Sequence, residues 1–339
     1  HENFSYLYFR AVMMIFPKSG AETTVGGHLT AAIDHYKTQL GYRLDMIFPA
    51  DNPREALLSE PPAAAGGFSS DTTISDQPRS IRLELVNNND QPPATAGGSE
   101  WITGRAGMQY RDLVADRLGG RLIASHIRLT TGGPVPDYVH YHKVEFQMIY
   151  CYRGRVKVVY EDQGPPFWLE PGDCVLQPPE IRHRVLEAEA GTEVIEIGVP
   201  AVHETWVEHD IELPTGEEKP GRVFGGQRFV RHVSADAQWD EMDAAVFVSG
   251  DTGISNATAG FADVRVVRSS GSDGDMLTIR NDGETLLIVS LDGTLTIGRN
   301  GAQFSLEPAE AFTIEKNVEC TVVGENGSFL LIKIGSNES

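Results

Sequence analysis

Hydrophobic positions recur along this chain with two periods. Leu29, Ala32, Ile33, Tyr36 and Leu40 fall at helical spacing, and Gly41 stops the helix they predict. Around it, residues 11–16, 42–48, 56–59 and 81–86 read as strands, giving a β-α-β-β-β order over a first unit, 6–86. A Pro/Ala/Gly/Ser insertion at 61–78 reads as a loop within that unit, and 87–104 reads as a linker. Beyond it the helical period disappears. Short runs of Val, Ile, Tyr and Phe alternate with Gly, Pro and Asp turns, the pattern of an all-β sandwich or barrel. A Pro/Gly-rich stretch at 213–226 divides this region into a middle unit, 105–212, and a last unit, 225–336.

The two β units repeat one another. Leu169-Glu-Pro-Gly-Asp matches Leu306-Glu-Pro-Ala-Glu, and Arg153-Gly-Arg-Val-Lys-Val matches Asp292-Gly-Thr-Leu-Thr-Ile. This predicts an internal duplication of a barrel of roughly 100 residues. A chain of 339 residues is long enough for several cores. Its net charge of −20 argues against nucleic acid and against an anionic membrane surface. No apolar run approaches the ~20 residues that span a bilayer, and no secretion signal is expected at the start. Cys151, Cys174 and Cys320 form no CxxC pair and no disulfide framework, which fits a reducing cytoplasm.

The chemistry concentrates in the middle unit. His140 and His142 stand one residue apart, so on a strand both imidazoles share a face. Gln147, Gly154 and His183 follow, the last after Gly172 and Pro178. If the four polar side chains converge, they hold one metal ion. Imidazole suits Fe, Zn, Cu, Ni and Mn alike. Glu145 shares the strand parity of Gln147 and is a further candidate, as ligand or general base. His126, His203, His209 and His232 are expected to be hydrogen-bonded structural residues, and Cys151 to pack in the core. Arg182 is expected on the outer face, and Tyr141, Phe146 and Trp168 in packing.

The middle unit resembles the cupin family, a small jelly-roll β-barrel, over roughly residues 105–210. His140, His142, Gln147 and Gly154 stand at the spacing of that family's first motif. Pro171-Gly172-Asp173, Pro178 and His183 match the second. Three positions depart from the pattern: Gln147 stands where the family has glutamate, Glu180 where it often has glycine, and Glu187 where it often has asparagine. The resemblance implies one divalent transition metal, Fe(II) ahead of Zn, Mn, Ni or Cu, on His140, His142, Gln147 and His183. Gln147 in place of glutamate removes one negative charge. In the last unit the same alignment sets Cys320 against His183, with Ile279, Asn281 and Leu286 at the other ligand positions. That predicts a metal-free barrel packed against the first. The first unit resembles one βαβββ module of the glyoxalase/vicinal-oxygen-chelate family, on His35-Tyr-Lys-Thr-Gln-Leu-Gly-Tyr-Arg-Leu and Asp51-Asn-Pro-Arg-Glu-Ala-Leu-Leu-Ser. Glu84 is its one candidate ligand, and a structural or dimerising role is expected.

The expected fold is mainly β: two cupin-type barrels after an α+β module. The expected function is a metal-dependent dioxygenase or other oxidoreductase acting on a small aromatic or enol-type organic acid, in a cytoplasmic homodimer. The alternatives are a non-redox metal enzyme (isomerase, lyase or hydrolase) and a sensing module without turnover.

Overall fold

The computed structural model describes residues 4–9, 12–17, 22–25, 29–51, 53–60, 80–85, 100–242, 247–269, 276–324 and 326–335. The predicted loop 61–78 and most of the linker lie outside these residues. The described chain is mainly β. Four larger sheets, of ten, seven, six and four strands, carry the architecture.

The sheets stack face to face as four layers. Alternation within each strand decides which core each side chain enters. In the strand Phe146–Arg153 of the seven-stranded sheet, Cys151 faces a core shared with the ten-stranded sheet, which includes Tyr160, Leu169 and Ile181. Phe146, Met148 and Tyr150 point the other way, into a core shared with the six-stranded sheet and its Val264, Leu287 and Ile332. The outer face of that sheet packs Ile288 and Phe329 against Ile297 and Val322 of the four-stranded sheet. The seven-stranded sheet is therefore apolar on both faces, which explains the near-continuous burial of its strand Thr192–Val199.

Two expectations are corrected. The sheets do not close into barrels. The ten-stranded sheet continues instead into the first unit, where Thr205 and Trp206 pair with Ile47 and Met46. The first unit is thus an extension of the sheet that carries His140 and His142. Its leading strand also differs from the sequence reading. Glu22–Val25 pairs in parallel with Ser80–Leu85, whereas Val12–Pro17 forms a separate hairpin with Phe4–Phe9. The helix Leu29–Gln39 covers this end of the sheet with Leu29, Ala32, Ile33 and Tyr36. Leu40 lies beyond it and is exposed.

The two pairs of matching turns make corresponding hydrogen bonds. The Cys151 thiol donates to the Gly154 carbonyl at 3.4 Å, and the Ser290 hydroxyl to the Gly293 carbonyl at 3.1 Å. Both hairpins carry a register shift just before the turn. At the second matching turn, Glu170 N–H donates to Asp173 and Glu307 N–H to Glu310. The boundary at 213–226 is less clean, because Val230–His232 pairs with Cys174–Leu176 in the seven-stranded sheet.

His126 links these layers. Its Nε2 lies 2.7 Å from Glu193, and its Nδ1 3.0 Å from Arg111, which also donates to the Ala309 carbonyl of the last unit. Burial is the dominant influence and holds this imidazole down at about 4, against the opposing pull of Glu193. The unfolded chain therefore takes up this proton first as pH falls below about 6.5. The contribution of His126 to stability is full above that value and is lost on the way down to about 4. We expect the urea midpoint to fall between pH 7 and pH 5, and to fall less in His126→Gln protein. An equal fall in both would overturn the assignment.

Candidate metal centre

Strand register brings the three histidines together. His140 and His183 are directly opposed on antiparallel neighbours, and His142 lies two residues along on the same face. The ring centroids of His140 and His183 are 4.3 Å apart, and that of His142 is 5.1 Å and 5.2 Å from them. One ligand atom from each lies within 4.8 Å of the others. All three are buried.

The ring orientations fit a metal. His140 Nδ1 is 2.8 Å from the Tyr138 carbonyl and His183 Nδ1 is 2.9 Å from the Ile181 carbonyl. A carbonyl only accepts, so each Nδ1 carries the proton and Nε2 is the nitrogen directed at the centre. His142 Nδ1 is 2.8 Å from the Thr205 hydroxyl, which completes the set. Asp137 is fully buried beside His140, its Oδ2 3.7 Å from Nδ1, and is fixed by the Val185 N–H at 3.0 Å. Oxygen partners on the remote nitrogen fix tautomer and ring angle in metal-binding histidines. The ion would sit on His140, His142 and His183 and supply Lewis acidity and open coordination positions.

Gln147 reaches the same cavity from the opposite, seven-stranded sheet. Its Nε2 donates to the Glu196 carboxylate, leaving the amide oxygen as the group it offers to the cavity. Glu196 pairs with Ile149 on the neighbouring strand and also lines the cavity. The carboxylate missing at position 147 is therefore present one strand away. Sequence reading overlooked it, although Glu196 shares the parity of Val194 and Gly198 on a strand otherwise buried on that face.

Glu145 is corrected. It is exposed and absent from the described cavity lining. The chain leaves the ten-stranded sheet after His142 and enters the seven-stranded sheet at Phe146, so parity does not carry through residue 145. His203 is hydrogen-bonded as expected, to the Pro200 carbonyl, but its place was not anticipated. It is buried, its ring is 5.3 Å from that of His142, and it lines the cavity. It follows Pro200 in a connection without periodicity, so sequence gave no cue to its place. His209 instead bonds Asp45 of the first unit, 3.0 Å away.

The cavity, about 90 Å³ in all, is otherwise mostly apolar, with Ile127, Leu129, Val158 and Val194 among its walls. Tyr160 stacks on His183 at 5.6 Å. Burial pushes its hydroxyl well above the usual phenol range, with a hydrogen bond to Gln177 in opposition. Ala50 and Asp51 of the first unit complete the lining, and Asp51 is bridged to Arg117. Gly154 turns the adjoining hairpin at φ 65°, where a Cβ would lie 2.7 Å from the Thr192 hydroxyl. Glu180 adopts φ 62°, which explains why a glycine suits that position. Cys151 is buried in the core, its thiol pushed up to about 12 by burial. In the last unit Cys320 pairs with Ile279 in an apolar core, and the Asn281 amide is consumed by the Ile314 carbonyl.

Residues 125–197 match the family model of the cupin domain. This segment resembles a cupin domain. It contains His140, His142, Gln147, His183 and Glu196. No curated protein matches the sequence. Among solved structures, the chain is similar to a mutant of Bacillus subtilis oxalate decarboxylase (TM-score 0.51, 12% identity, 67% of this chain and 72% of that one). It is similar to a salicylate 1,2-dioxygenase from Pseudaminobacter salicylatoxidans (0.50, 16%, 66% and 75%). A putative glyoxylate-induced protein from Pseudomonas aeruginosa is a further likeness (0.50, 14%, 69% and 81%). At these identities the likeness is one of fold. The matched segment thus lies within a larger shared architecture, and its three histidines could hold a divalent metal ion.

Proposed function

We propose that the protein is a metal-dependent oxidoreductase, a dioxygenase acting on a small aromatic or enol-type organic acid. The observation that carries this reading is the convergence of three imidazoles, each fixed through its remote nitrogen, in a small apolar cavity. A neutral ligand set with open positions suits Fe(II) and O₂ ahead of Zn, Mn, Ni or Cu. His140, His142 and His183 would hold the ion. Gln147 would bind it weakly or hydrogen-bond the substrate, and the apolar walls would exclude water. The last unit is then a duplicated cupin without a metal, and the first a half module that walls the cavity with Ala50 and Asp51.

Glu196 supports a second reading. A carboxylate in the cavity is a candidate general base, as an isomerase, lyase or hydrolase requires. Metal analysis of protein purified without added metal, followed by O₂ uptake with catechol- and enol-type compounds, separates the two. Iron with substrate-dependent O₂ consumption is expected. Stoichiometric zinc with no O₂ consumption would leave the second reading in place.

A further inference from the structure

Gln147 and Glu196 are diagonal neighbours across one ladder. Gln147 stands opposite Gly198, and Ile149 opposite Glu196, so both polar side chains leave the seven-stranded sheet on its cavity face. Gly198 carries no side chain, and a Cβ there would lie 3.0 Å from the Ile123 side chain and 3.8 Å from the His203 ring. The Gln147 amide therefore meets no side chain directly across the ladder, and it turns along the ladder to Glu196. Only 1% of Gln147 is exposed, and Glu196 is half-buried.

A primary amide is ambiguous by itself. One end donates, the other accepts, and a half-turn exchanges them. A carboxylate removes the ambiguity, because it only accepts. Gln147 presents Nε2 to Glu196 and so leaves its oxygen to the cavity that His140, His142 and His183 also line. The same hydrogen bond bears on charge. Three neutral imidazoles and an amide carry none, whereas a glutamate at position 147 would add a negative charge. Glu196 restores that charge one hydrogen bond away from position 147. A charge-assisted bond to the amide N–H polarises the amide and makes its oxygen the better electron donor.

We propose that Glu196 is a positioning residue for the metal centre. By accepting from Gln147 it holds the amide oxygen on the cavity side, and through the amide it lends the ion the negative charge that glutamine lacks. The inference rests on the metal-dependent reading above and deepens it. The charge and the oxygen that one glutamate would provide are divided between two adjacent strands. Acid and amide should then be interchangeable between the two positions. An amide at position 196 can donate to a carboxylate at position 147 as the native pair does in reverse.

The test uses full-length protein and cobalt(II), with affinity taken from competition against a chelator and the visible spectrum recorded for each variant. Glu196→Gln keeps the shape of the side chain and removes its charge. It should bind cobalt about tenfold or more weakly than the unaltered protein, the usual effect of losing an outer partner, and shift the cobalt bands. In the double variant Gln147→Glu/Glu196→Gln acid and amide change places. Its affinity should return to within about threefold of the unaltered protein, because the two sites are coupled. A residue that only joins two strands would instead lower the urea midpoint of metal-free Glu196→Gln protein and leave its cobalt affinity alone. Cobalt affinity within about threefold of the unaltered protein in Glu196→Gln would overturn the proposal, as would a double variant no better than Glu196→Gln. If Glu196→Gln does not fold, the double variant decides, and a loss of more than about tenfold there would overturn the proposal. Failure of the unaltered protein to take up cobalt would instead sink the metal reading, and this proposal with it.

Discussion

Replacing His142 with alanine should strip the protein of its metal. His142 provides one of three converging nitrogens and makes the hydrogen bond to Thr205 that ties the centre to the strand Thr205–Val207. Loss of an outer partner such as that hydroxyl lowers metal affinity about 10–100-fold, so loss of the nitrogen itself should exceed about 100-fold. Elemental analysis after dialysis against a weak chelator gives the reading, with the wild type as reference. The fold should survive, because the imidazole faces a cavity and the surrounding β-ladder is made by backbone groups. The urea midpoint of metal-stripped protein should therefore match between the two. Full metal content in His142→Ala protein would remove the centre from consideration.

The second large effect concerns the layer stack. Phe146 is fully buried and packs between the seven- and six-stranded sheets, with the Phe261 ring 6.4 Å away. Truncation to alanine forfeits the transfer energy of the ring and opens a cavity, a cost of about 3–5 kcal/mol. A urea titration of Phe146→Ala protein should show a correspondingly lower midpoint with little change in slope. Phe146 adjoins Gln147 but points to the opposite face, so the three-histidine cluster should stay assembled in the destabilised protein. An unfolding free energy within about 0.5 kcal/mol of wild type, the ordinary range for surface substitutions, would mean that the seven- and six-stranded sheets do not share a core.

Much of the centre was legible in the sequence because it depends on local periodicity. His140 and His142 share a face by the alternation of a strand, and His183 follows a Pro-Gly turn at a fixed distance. The repeated hairpins at Gly154 and Gly293 were legible for the same reason, since turn chemistry is local. Parity misled at Glu145 because the chain changes sheets between His142 and Phe146, and alternation has meaning only within one strand. Glu196 could have been found, as a lone acid on the inward parity of a strand otherwise buried there. His203 could not, because its place is fixed by a connection that returns toward the cavity after Gly198. The joining of the first unit to the sheet of the three histidines rests on pairing between residues 46–47 and 205–206, a separation that no local pattern encodes.

That pairing makes the first unit something other than a removable appendage. The strand Thr205–Val207 lies between the His140–His142 strand and the first unit, so removal of residues 1–99 would uncover a row of unpaired N–H and C=O groups. Such a row templates the addition of foreign strands. A shortened chain of this kind is expected to self-associate, and to do so beside Thr205, whose hydroxyl orients His142. Solubility and the integrity of the metal centre are in this way properties of the same strand.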